Sequence, residues 1–170
     1  MKPDILPIHQ LNWHALQYAI YIAKVVENKI RAKRLKDKSS SYPPCAACVQ
    51  SLFCGSIGYG YTGQYKLVRS NFRSPLGSLL TKKLGPISSQ EGRCANYIGK
   101  CAEVSAVNSL FYNCMECKTT TCQHILSAHV SKYIIKKHLL MPANYSMSAA
   151  YRPRTQEYIE RCENCIALFP

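Results

Sequence analysis

The stretches Cys101-Ala102-Glu103-Val104-Ser105-Ala106-Val107-Asn108 and Cys162-Glu163-Asn164-Cys165 decide how this 170-residue chain is read. Apolar residues at 104, 106, 107, 110 and 111 carry a helical period. They predict a helix over 102–111 that begins directly after Cys101. Cys162 and Cys165 are three apart, so one helical turn sets both thiols on one side, and Cys162 opens a last short helix. Helix N-termini favour anions and lower thiol pKa values, which suits thiolates that bind a metal. Three cysteines form a zinc ligand set that leaves the fourth tetrahedral position to water, and zinc brings the pKa of such a water toward neutrality. Glu103, two residues past Cys101, falls beside that water rather than on the metal and can carry its proton. The same spacing also allows a structural zinc closed by a fourth ligand, for which Cys94 is near in sequence.

Around these stretches the composition is that of one folded domain over 1–170. Hydrophobic residues make up 47% and charged residues 18%, enough for one core and against long disorder. No apolar run reaches the length of a membrane span, and Met1-Lys2-Pro3 is not followed by a secretory core. With 22 Lys and Arg against 9 Asp and Glu, the net charge is +13. Such a surface points to a polyanion, most simply nucleic acid; solubility or an acidic partner protein is the competing explanation.

The elements follow from periodicity. Leu16, Ala19, Ile20, Ala23, Val26 and Ile30 predict a helix over 9–36 that ends in a basic run, 31–38. That run suits a solvated helix end as well as a nucleic-acid contact. Ser39 to Pro44 breaks the helix, so residues 1–41 form an N-terminal helix and linker. Strands are expected over 57–61 and 64–70, joined at Thr62-Gly63 as a hairpin. Short helices follow at 76–84 and 123–140, and a strand at 145–151 is ended by Arg152-Pro153-Arg154-Thr155.

Ten cysteines, three pairs of them Cys-x-x-Cys, read as metal binding before disulfides in a chain with no export signal. Cys114, Cys117, Cys122 and His124 make a C-x2-C-x4-C-x-H set that would suit a second, structural zinc, or else a buried cysteine cluster or loop disulfide. Cys45, Cys48 and Cys54 have apolar neighbours and read as core cysteines. His9, His14, His129 and His138 have no useful spacing to any of these motifs.

The two opening stretches resemble the YwqJ-related branch of bacterial toxin deaminases, within the cytidine deaminase-like superfamily. Residues 99–108 are similar to that branch's Asn-Cys-Ala-Glu-Val-x-Ala-Val stretch. Residues 152–165 resemble its closing segment, which ends in Cys-x-Asn-Cys. The segment Tyr59-Gly60-Tyr61-Thr62-Gly63-Gln64, with Asn71 after it, is similar to its hairpin. The likeness covers about residues 42–111 and 145–166. Lys100 stands in place of the usual Asn and Arg161 in place of Pro, both outside the ligand set. The resemblance implies an α/β, three-layer fold with a mixed sheet flanked by helices, and a Cys/His-containing insertion over 113–141. The chain stops five residues after Cys165, where that fold continues with further strands, so the resemblance implies a short branch or a domain of a longer chain.

What the resemblance implies for function is a zinc-dependent deaminase of cytosine in single-stranded DNA or RNA, acting as a monomer in the cytoplasm or delivered as part of a secreted toxin. An acidic immunity protein is its implied partner. Cys101, Cys162 and Cys165 hold the zinc, Glu103 is the catalytic carboxylate, and Asn71 contacts the substrate. Tyr59, Tyr61 and Phe72 could stack on a base, or pack in the sheet. Two other readings stay open: a free nucleoside or nucleotide deaminase, and a non-catalytic zinc module that binds nucleic acid.

Overall fold

A computed structural model describes residues 4–52, 55–64, 80–81, 84–86, 89–90, 92–94, 96–116 and 145–169, with the backbone alone for 111–116. Its first element, α1, is Ile8–Arg31 and buries Leu11, Ala15, Ala19, Ile22, Ala23 and Val26 along one face. The helix stops short of the expected residue 36. Lys33 takes a left-handed conformation (φ 55°), and its N–H bonds Ile30 O while the N–H of Arg34 bonds Lys29 O. This cap satisfies the last carbonyls of α1, and few apolar residues lie beyond Ile30 to extend the buried face. A 3-10 turn at Ser39–Ser41 follows.

The centre of the sheet is β1, Ala46–Ser51, all six residues of which are buried. Periodicity does not predict it, because the run shows no alternation. A strand covered on both faces loses the period of two. Cys48 meets Leu11 and Ala15 of α1, whereas Ala47 packs with Ala102 and Val49 with the larger core. Buried Gln50 is satisfied, with its amide donating to Asp4 O and Gly55 O and accepting from Leu6 N.

The antiparallel neighbour of β1 is β2, Ile57–Tyr61, with Ala46 opposite Tyr61 and Gln50 opposite Ile57. The described hairpin is therefore β1–β2; the strand expected at 64–70 lies outside the described residues apart from Gln64. On the other side of β1 run β3, Tyr145–Met147, and β4, Ala150–Tyr151. The sequence pattern joins these as one strand. The pairing shifts by one residue between Val49↔Met147 and Ala46↔Tyr151, so a bulge at 148–149 interrupts the ladder. Ser148 fills the break, its Oγ accepting from Cys48 N and its N–H donating to Cys48 O. β5, Tyr158–Ile159, closes the order β2-β1-β4-β5. Every described pairing is antiparallel, where a mixed sheet was expected.

The opposite face of the sheet carries α2, Ala102–Glu116, so helices cover both sides. Gly58 and Gly60 of β2 make this close: a Cβ on Gly60 would sit 2.5 Å from Ala102 O, and one on Gly58 2.6 Å from Leu110 N. The last helix, α3, is Glu163–Leu168, capped by Cys162 as the sequence predicts. Leu80, Thr81 and Leu84 are helical, with Leu80 and Leu84 buried in the core under α2. The helix expected at 123–140 and nearly all of the 113–141 insertion lie outside the described residues. Among those described, no helix is long and apolar enough to cross a membrane.

Candidate metal centre

Cys101 immediately precedes α2, and its carbonyl accepts the N–H of Ser105. Cys162 caps α3 in an extended conformation, its carbonyl accepting from Ile166 N, and Cys165 lies one turn further on. Two helix starts thus converge. The three Sγ atoms lie within 4.8 Å of one another, with Cys101 and Cys162 at 3.6 Å. Three sulfurs around a tetrahedral ion at about 2.3 Å stand roughly 3.8 Å apart, so the donor set fits one metal ion. Among the described residues no fourth His, Cys, Asp or Glu joins this group. Cys94 is half-buried and stays outside it, so the closed site that its nearness in sequence allowed is not formed.

The thiols divide unequally. The hydrogen bonds from Cys101 and Cys165 pull the Cys162 thiol far below its ordinary value. In return Cys101 is pushed up, first by its bond to Cys162, and Cys165 is pushed up by its bonds to Cys101 and Cys162. Of the three, Cys162 is therefore the thiol that most readily loses its proton. Binding a divalent cation would expel the remaining protons.

Glu103 sits in the first turn of α2, 3% exposed. Burial raises its pKa above the ordinary carboxyl value and the Cys162 thiolate adds to the rise. Its own backbone N–H, the Cys165 side chain and the charge of Arg161 oppose it. Cys101, Glu103 and Cys162 line a cavity of about 450 Å³ together with Pro44, Cys45, Thr62, Ala150, Ile159, Lys100 and the exposed Asn96, Tyr97, Arg152 and Glu160. That is large enough for a heteroaromatic ring with its sugar.

The structure therefore brings together four of the residues singled out in the sequence: Cys101, Cys162, Cys165 and Glu103. It does not bring Tyr59 to them. The Tyr59 hydroxyl is 3.1 Å from His14 Nδ1 and its ring stands 5.1 Å from that of Tyr18, on the α1 side of the sheet. Tyr61 is also absent from the cavity wall. Alternation explains this, since Gly58 and Gly60 take the α2 side. Asn71 and Phe72 lie outside the described residues, as do Cys54, Cys117, Cys122 and His124; Cys114 falls on the α2 backbone, its side chain outside them. Cys48 is a core cysteine as expected, donating to Leu11 O at 3.2 Å, with burial raising its pKa to about 12. Cys45 instead faces the cavity, 3.0 Å from Thr62 Oγ1.

Sequence reasoning missed Asn164. Its side chain is buried, accepts from Arg93 N at 2.7 Å and donates to Asn96 O at 3.1 Å. It pins the 92–96 loop, and with it Asn96, to the start of α3. An uncharged amide between two ligand cysteines is the signal that could have marked it. Comparison with protein-family models, with curated proteins and with solved structures gives no match.

Proposed function

We propose that this chain is a zinc-dependent deaminase of nucleobases, acting on cytosine in single-stranded DNA or RNA. The observation that carries the reading is the open donor set: three sulfurs within 4.8 Å and no fourth ligand among the described residues, with buried Glu103 beside them in the lining of one cavity. A bound zinc ion supplies Lewis acidity that brings the pKa of a water near neutrality. Glu103 would be the proton carrier for both protons of the water, giving one to the ring nitrogen as oxygen adds to the amino-bearing carbon and the other to the amine as the carbon–nitrogen bond breaks and ammonia leaves. Its raised pKa suits a group that must hold a proton between those transfers. The helix–sheet–helix layering, with β1 antiparallel to both neighbours and two cysteine-bearing helix starts meeting over it, is compatible with a deaminase-like fold.

A polymeric substrate is favoured by the +13 charge and by Lys100 and Arg152 in the cavity lining. A single strand spares the cost of extruding the base from a duplex. The test is incubation of the zinc-loaded chain with single-stranded DNA and RNA, followed by sequencing for C-to-T(U) and A-to-G changes. C-to-T(U) conversion that disappears in Glu103→Gln supports the reading; no conversion of either base on either polymer overturns it.

A further inference from the structure

The basic run after α1 plays no part in the metal centre, yet the fold carries it to the cavity. The left-handed cap at Lys33 turns the chain out of α1. Ser41 Oγ then bonds Lys36 O at 2.5 Å, folding the run on itself. Arg154 fastens it: its Nη1 donates to Ser39 Oγ at 2.6 Å, and its guanidinium stands 5.5 Å from the Tyr42 ring. Two residues before Arg154, Arg152 lines the cavity, and so does Pro44, two residues after Tyr42. Lys100 and Tyr97 line the same cavity, with Lys100 Nζ 4.3 Å over the ring of Tyr97, which is 46% exposed.

We propose that Lys36, Lys38, Arg154 and Arg152 form a phosphate track that leads a single strand to this cavity, with Lys100 and Tyr97 receiving it there. A helix end that merely solvates its charges has no reason to fold back onto another basic turn, because gathering like charges is unfavourable until an anion bridges them. Acidic groups do face the track. Asp37 is 4.0 Å from Arg154 and Glu157 3.9 Å from Arg152, and Glu160 lines the cavity. Both pairs sit at the limit of contact with side chains about half or more exposed, so a phosphate can displace either carboxylate. Exposed cations beside a cavity that also carries an exposed aromatic ring suit the phosphates and bases of a single strand.

The inference deepens the nucleic-acid reading above, but its test does not depend on turnover. Oligo-dT carries no amine to remove, so a labelled dT 15-mer reports binding alone, by fluorescence anisotropy over a series of salt concentrations. The Lys36→Ala/Lys38→Ala/Arg154→Ala variant is expected to bind on the order of tenfold or more weakly. Its slope of log affinity against log salt should shrink by about 2, at about 0.7 for each phosphate no longer neutralised. Arg154→Ala alone should weaken binding more than Lys24→Ala, which removes the same charge from the body of α1. An unchanged slope in the triple variant overturns the track, as does an equal weakening in Lys24→Ala, which would mean diffuse attraction. Track-dependent binding without base conversion sinks the deaminase reading alone. Base conversion with an unaffected triple variant sinks the track alone.

Discussion

Replacing Gly60 by alanine tests whether the close seat of α2 on β2 places the metal centre. The added Cβ would lie 2.5 Å from Ala102 O and 2.6 Å from the Ser105 carbonyl carbon, both backbone atoms. Ordinary contact begins at 3.4 Å and the backbone N of Ala106 lies nearer still, so the start of α2 must recede by at least about 0.9 Å. Overpacking of this kind costs about 1–3 kcal/mol. The turn that moves carries Glu103 and follows Cys101 directly, so a sulfur is displaced relative to Cys162 and Cys165. Loss of support around a metal ligand weakens affinity by roughly 10–100-fold. Gly58→Ala provides the contrast. Its Cβ would strike Ala106 O most closely, then Leu110 N at 2.6 Å and Leu110 Cβ at 2.8 Å, and unlike that of Gly60 it meets neither Ala102 nor Ser105 among its nearest atoms. It should cost comparable stability while disturbing zinc less. Gly63→Ala meets nothing within 4 Å and has only its positive φ of 80° to oppose it, a penalty of about 1–2 kcal/mol. Urea denaturation and zinc competition against a chromophoric chelator measure both quantities. Gly60→Ala within about 0.5 kcal/mol of the parent and with unchanged zinc affinity would refute the argument.

Cys162→Ala removes the most acidic thiol of the trio and should abolish zinc retention by elemental analysis, while X-ray absorption on the loaded parent should show sulfur at about 2.3 Å. Glu103→Gln should keep the metal and lose turnover by about 10²–10⁴, measured on the substrate found by sequencing. The same variant should change the pH dependence of the metal-free protein. The Glu103 pKa is raised in the fold from 4.5, so as pH climbs past that value the unfolded chain loses this proton first and stability falls. The loss is complete once the folded group has also ionised. The stability of Glu103→Gln minus that of the parent should therefore grow with pH above 4.5, and a flat difference in chemical denaturation would contradict the assignment. Asn164→Ala strands Arg93 N–H and Asn96 O and should cost about 1–3 kcal/mol; a neutral result would show that the 92–96 loop is held by other contacts.

The parts legible in the sequence were those with a local period. α1, α2 and the Cys162 cap announce themselves because an amphipathic helix, or a cysteine pair one turn apart, is encoded over a few adjacent residues. β1 was illegible for the opposite reason: its six residues are buried by α1 on one face and α2 on the other, so no alternation survives. The bulge at 148–149 was hidden likewise, because the slip exists only relative to β1, 100 residues away at Ser148–Cys48. The three cysteines that the fold clusters were singled out by spacing, and Tyr59 was misplaced by the same kind of reasoning. Nearness in sequence to a proposed loop says nothing about which side of a strand a ring takes. Gly58 and Gly60 held that information, since glycines at alternate positions mark the face a helix presses on.

Glu103 is the residue on which the proposed catalytic reading parts from a merely structural metal site. A carboxylate 3% exposed, with no ion pair among the described residues and a thiolate nearby, is a liability in any fold that uses its cysteines only as a clasp. A glutamine would keep most of the shape without that cost. Its own backbone N–H, the Cys165 side chain and the charge of Arg161 offset that cost only in part, because burial still raises its pKa. Arg161 helps only through its charge, since its guanidinium donates to Phe169 O at 2.8 Å. The cavity meanwhile leaves the carboxylate a path to whatever enters. Local rules broken without local compensation are expected where function selects the residue. Here the breach falls in the first turn of α2, two residues past the cysteine ligand that precedes the helix.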